Sequence, residues 1–221
     1  MKNLMKIILV SMALAESGLS QNINCRSLGD DQRNVIQLHF GYDFGVTAQL
    51  GYNRSFNLIR PVVVGLDYSL PMGNVLLDDF KVRLGGQMEI VQIGGFSTTI
   101  KIFSNFRRYQ NSLVRIVSFG SDFAVLAGYY RPTWYAAGEL GFDKSIATNL
   151  KNSVIMKAEY PAIRDGWYVP TGGNFYYGIQ GGKTLGESLE LSLRLGATSA
   201  QFHDQDAVLP YYVQVGLGMR F

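Results

Sequence analysis

The sequence predicts an all-β chain closed into an antiparallel transmembrane barrel of about ten strands, with eight as the alternative count. Three observations predict it. At the end of the chain, Tyr211, Val213, Val215, Leu217, Met219 and Phe221 share one face while Tyr212, Gln214, Gly216, Gly218 and Arg220 share the other. That is the period of a strand. The same alternation recurs in many segments of about ten residues, the length at which a tilted strand crosses a bilayer. Finally, 25 Gly, 13 Tyr and 13 Phe accompany only 17% charged residues. Such a composition suits a sheet with lipid on one side and a crowded interior on the other.

The elements follow in order. Lys2 and Lys6 precede an apolar run from Ile7 to Ala15 broken only by Ser11, and the small residues Gly18 and Ser20 follow. This is the layout of an export signal, with cleavage expected after Ser20 and a cut after Ala15 as the alternative. The run is far shorter than the ~20 residues of a spanning helix. Residues 1–20 are therefore read as a signal peptide, 21–33 as a flexible N-terminal tail and 34–221 as the barrel. Cys25 lies in that tail; a lone thiol forms no intrachain disulfide, and Asn22-Ile23-Asn24 before it does not fit a lipid-anchor site.

In the barrel, Ile36, Leu38, Phe40 and Tyr42 alternate with Gln37, His39 and Gly41, and a second strand runs from about Gly45 to Phe56. Val62, Val64, Leu66, Tyr68 and Leu70 form the third. Phe80, Val82, Leu84, Met88 and Ile90 form the fourth, against Lys81, Arg83, Gln87 and Glu89. The fifth spans 96–106, the sixth 113–130 and the seventh 134–142. In the eighth, Phe175, Tyr177 and Ile179 alternate with Tyr176, Gly178 and Gln180. Leu189, Leu191, Leu193 and Leu195 against Ser188, Glu190, Ser192 and Arg194 give the clearest case, and the terminal strand is the tenth. An even count puts short connections near 57–60, 94–95, 131–133 and 184–186 on the periplasmic side. Longer ones at 72–78, 107–111, 147–172 and 200–209 fall outside, as transmembrane barrels prefer. A short helical turn is expected within 149–157. The turn at Asp43 and Phe44 is very tight; reading 41–56 as one strand gives the eight-strand alternative. A secreted sandwich or lipocalin-like barrel would carry a more heavily charged polar face.

The inner face of this arrangement carries Asp43, Asp67, Lys81, Arg83, Glu89, Lys101, Asp122, Glu139, Asp143, Glu190, Arg194 and Arg220. Charges of both signs in a narrow lumen are read either as a pore or as ion pairs that fill and stiffen the barrel, and the low strand count favours filling. His39 on the same face is read as a hydrogen-bonded lumenal group. His203-Asp204-Gln205-Asp206 on the last outer loop, with Asp78-Asp79 on another, invites comparison with outer-membrane proteases. Ser199 with His203 invites comparison with lipid-modifying barrels. Neither pattern fixes a catalytic site, and no spacing defines a metal or cofactor site. Gly181-Gly182-Lys183-Thr184 lacks the upstream glycine of a phosphate loop, position 177 being Tyr. A net charge of +3 without a dense basic block excludes a nucleic-acid footprint.

The terminal strand with its last Phe221, and the stretch from Asp165-Gly166-Trp167-Tyr168 to Phe175-Tyr176-Tyr177-Gly178, resemble small porin-like outer-membrane barrels of Gram-negative bacteria. The resemblance covers the barrel loosely and these two stretches best. It implies residence in the outer membrane as a monomer, contact with membrane lipid and lipopolysaccharide, and assembly by the barrel-assembly machinery. Tyr211, Val213, Val215, Leu217, Met219 and Phe221 would then form the assembly signal. It implies a structural or narrow-pore role without cofactor, a rim enzyme or loop receptor being the alternatives. Trp167 and Tyr168 are candidates for outer-loop ligand binding or for anchoring at the membrane interface.

Overall fold

The computed structural model describes residues 22–29, 31–42, 45–72, 77–202 and 210–221. The expected signal peptide, Asp43 and the segment from His203 to Asp206 lie outside them. The elements in order are β1 (Asn34–Tyr42), β2 (Val46–Asn57), β3 (Pro61–Pro71), β4 (Asp79–Ile93), β5 (Phe96–Gln110), β6 (Val114–Tyr130), β7 (Trp134–Asn152), helix α1 (Val154–Glu159), the short β8 (Gly166–Tyr168), β9 (Asn174–Leu185), β10 (Leu189–Ala200) and β11 (Tyr211–Arg220). Ten long antiparallel strands close into a ring. β6 pairs with β7, β7 with β9, and β1 pairs with both β2 and β11. At the seam Val35 faces Arg220 and Tyr42 faces Val213, and Asn34 and Phe221 exchange two main-chain hydrogen bonds of 2.9 Å. Closure leaves none of the ten long strands with an open edge, which a hydrocarbon environment requires.

Alternation decides what faces out. Leu189, Leu191, Leu193 and Leu195 are between 39% and 46% exposed, whereas Glu190, Ser192 and Arg194 between them are buried. The sheet is thus apolar outside and polar inside. Aromatic rings band both ends. Where the connections are long, Tyr68, Phe80, Phe106, Phe119 and Trp167 follow one another at centroid separations of 5.8, 5.9, 5.1 and 6.1 Å. At the end with short turns, Tyr129 lies 5.7 Å from Trp134. Aromatic girdles of this kind mark membrane–water interfaces.

Two expectations need correction. The seventh strand does not stop near Phe142 but runs to Asn152, pairing with β6 as far as Val114. A bulge opposite Phe119 and Gly120 leaves Ile146 unpaired, so the buried positions pass from Asp143 and Ser145 to Thr148 and Asn152. A strand that changes phase loses the two-residue signature. The helical turn accordingly begins at Val154, capped by the Ser153 hydroxyl, which accepts from the Met156 N–H at 3.2 Å. The second correction concerns the N-terminal tail. Asn22, Ile23 and Asn24 are buried, and Cys25–Ser27 forms a 3-10 turn. These residues occupy the mouth of the barrel at its short-turn end, because side chains of the surrounding strands satisfy their main chain.

Candidate functional site: the lumen

The interior of a ten-stranded barrel is wider than that of an eight-stranded one, which side chains just fill. Here large inward side chains fill the difference. Tyr176, Tyr212, Arg83, Arg194 and Lys81 are among the largest fully buried groups. Glycine on a neighbouring strand makes room for each tyrosine. A Cβ at Gly141 would collide with the Tyr176 ring, one at Gly182 with Tyr135, and one at Gly196 with Tyr212. The glycine-rich inner face is the counterpart of these rings.

The charges assigned to the inner face are all buried where described: Asp67, Lys81, Arg83, Glu89, Lys101, Asp122, Glu139, Asp143, Glu190, Arg194 and Arg220. Arg83 and Asp67 are directly opposed on β4 and β3 and pair at 3.3 Å. Glu139 on β7 is a hub. Its Oε1 accepts from Arg194 Nε at 2.6 Å and from the Tyr212 hydroxyl at 2.6 Å, and its Oε2 accepts from Gln180 Nε2 at 3.2 Å. Arg194 also donates to Gln214 at 3.3 Å, and its guanidinium sits 4.4 Å from the Tyr212 ring centre. Past one intervening strand, Tyr176 on β9 donates to Asp122 on β6 at 2.7 Å, and Asn105 on β5 to Asp143 on β7 at 3.1 Å. Lys101 and Arg83 lie about 6 Å from the Phe103 ring, within cation–π range. The bonds from Arg194 and Tyr212 to Glu139, from Tyr176 to Asp122 and from Asn105 to Asp143 skip over at least one intervening strand, so they tie non-adjacent parts of the wall together. Charges taken out of water persist only when paired and hydrogen bonded.

Among the described residues no catalytic constellation is assembled, and the pairings of His203 to Asp206 with Asp78-Asp79 and with Ser199 lie outside them. His39 is fully buried on β1, and neither ring nitrogen has a hydrogen-bond partner among the described residues; no carboxylate orients it as a base. Asp79 is held in a two-point contact by Arg107 at 2.8 and 3.0 Å. Gly181 to Thr184 lies inside β9, with no helix following. Trp167 stacks on Phe119 and so belongs to the aromatic band, while the Tyr168 hydroxyl donates to the Arg164 carbonyl at 2.7 Å. Their strap is pinned by Asp165, which accepts from Lys157 at 2.6 Å and from the Asn152 main chain at 2.9 Å. These bonds hold the Asp165 carboxyl down at about 2. Tyr211, Val213, Val215, Leu217, Met219 and Phe221 all point outward from β11.

Residues that sequence reasoning passed over line the short-turn mouth. Gln87 and Gln180 are buried amides there, and a buried amide must find partners. Their partners are Asn22 and Ile23. The inward position of the two glutamines follows from strand alternation; nothing in the short N-terminal segment names its partner.

No protein-family model and no curated protein matches this sequence. Among solved structures, the chain is similar to the KdgM porin (8% identity, 85% of this chain and 99% of that one, TM-score 0.43). It is also similar to the β-domain of the Bordetella autotransporter BrkA (11%, 86% and 99%, TM-score 0.38). A third is the Yersinia pestis outer-membrane protein Ail (11%, 86% and 100%, TM-score 0.31).

Proposed function

We propose that this protein is an integral outer-membrane barrel of a Gram-negative bacterium whose lumen is a narrow, ion-pair-lined path for small solutes, closed at rest. The observation that carries this reading is the buried hub of Arg194, Glu139, Tyr212 and Gln180, which joins β7, β9, β10 and β11 through the lumen. An apolar exterior with a charged interior has no rationale in water and a clear one in lipid. The monomer needs no partner to close its sheet. Lipid and lipopolysaccharide cover its outer face, and the assembly machinery reads the outward residues of β11 ending at Phe221. The short turns lie in the periplasm and the 153–173 strap outside. Two assays test this reading. Fractionation of cells should recover the protein in the outer membrane. Vesicles bearing the refolded protein should swell slowly in the smallest sugars and amino acids and not in larger ones. Recovery in the soluble periplasm, or swelling independent of solute size, would defeat it.

A further inference from the structure

The short-turn mouth carries the construction of a peptide site. Four consecutive main-chain groups of Asn22 and Ile23 are each met by a side chain of the wall. The Asn22 N–H donates to Gln180 Oε1 at 2.9 Å, and its carbonyl accepts from the Tyr135 hydroxyl at 3.3 Å. The Ile23 N–H donates to Gln87 Oε1 at 3.0 Å, and its carbonyl accepts from Gln87 Nε2 at 2.7 Å. One glutamine amide thus reads both polar groups of one residue, as a neighbouring strand would. Side chains then fix identity. Ile23 packs against Val35 and Val63. Asn22 Nδ2 donates to the Tyr130 hydroxyl at 2.9 Å and Asn24 Nδ2 to the Arg131 carbonyl at 2.7 Å. Ser27 meets Glu190 through its hydroxyl and Arg220 through its carbonyl. The segment therefore touches β1, β3, β4, β6, β7, β9, β10 and β11, eight of the ten long strands. It crosses the mouth from wall to wall.

We propose that this mouth is a peptide-binding site whose resident ligand is residues 22–28 of the same chain, a tethered plug whose release opens the lumen. The ligand class is an extended peptide with an amide side chain followed by an apolar one, read mainly through its main chain. The consequence for passage rests on the pore reading above; the site itself does not. Every contact is non-covalent, so the plug exchanges with solution. Its tether to β1 is only a few residues long, which places it at an effective concentration of about millimolar. A free peptide must reach that range to compete.

The chain's single cysteine reports on docking. Burial pushes the Cys25 thiol up to about 11 from an ordinary value of 9.0. Docking therefore lowers the thiolate population near pH 8. In vesicles holding the full chain, maleimide should label Cys25 at least tenfold more slowly than in urea-unfolded protein. A synthetic peptide of residues 21–28 with serine in place of the cysteine, added at millimolar concentration on the short-turn side, should raise the rate at least tenfold. A scrambled peptide should leave it unchanged. Ile23→Asp, which leaves the wall intact, should raise it without added peptide. Labelling of the folded wild type at the unfolded rate would overturn the proposal, as would indifference to both the peptide and Ile23→Asp. Ion leak is read from the same vesicles. If the thiol reports release while the leak stays constant, the peptide site stands and the pore reading fails.

Discussion

Replacing Glu139 with Gln removes the charge at the hub while keeping its shape. Arg194 would then be a buried guanidinium that has lost the Glu139 carboxylate, its side chain and that of Glu139 each being 1% exposed. Breaking a buried pair from one side costs about 3–5 kcal/mol. The Tyr212 ring and the Gln214 carbonyl oxygen still face the cation, which places the expected loss near the lower end, about 3 kcal/mol. Urea unfolding of the protein in detergent micelles, followed by tryptophan emission, should show the midpoint fall by about 1–3 M. Arg194→Met in the Glu139→Gln background removes the buried cation and should recover most of the loss, to within about 1 kcal/mol of the parent. The coupling between the two positions is then at least about 2 kcal/mol. Additive effects of the two substitutions would show that water already solvates both groups and that the hub does not brace the wall.

Three further outcomes follow from the same geometry. Leu193→Arg, on the lipid face, should cost about 2–4 kcal/mol of stability in bilayers, measured by reversible folding into vesicles, against a much smaller loss for Leu193→Ala. Gly141→Ala drives a methyl into the Tyr176 ring and should cost about 1–3 kcal/mol. By contrast, Gly138→Ala finds nothing nearer than 3.9 Å and should be neutral or slightly stabilising in the same urea assay. Asp165 titrates below its usual range, so its contribution to the strap is complete above the ordinary carboxylate pKa and disappears as pH falls through about 2. Trp167 emission should therefore hold steady from pH 7 to pH 4 and shift only in stronger acid. Asp165→Asn should show the shifted emission at neutral pH.

The barrel was legible in the sequence wherever the two faces differed in chemistry. Leucine against serine, glutamate and arginine in β10 marks a strand with two unlike faces, and the same alternation placed the lumenal charges and the outward face of β11. Legibility failed where the alternation changes phase. Ile146 bulges out of β7, so the strand beyond it reads as loop until its pairing with β6 is seen. The inward tyrosines were placed on the correct face, but their role as filler depends on glycines of adjacent strands that only the register brings opposite them. Least legible was the segment from Asn22 to Ser27. Its few residues have no periodicity, and much of its order comes from side chains more than sixty positions away in sequence, such as Gln87, Tyr130 and Gln180.

The most direct test of a charge-filled lumen is single-channel conductance of the full chain refolded into a planar bilayer. The ion-pair network predicts small, brief openings that grow when Arg83→Ala breaks the buried pair with Asp67, whose side chains are both 0% exposed at 3.3 Å. A large, steady conductance in the unmodified protein, unchanged by Arg83→Ala, would contradict it.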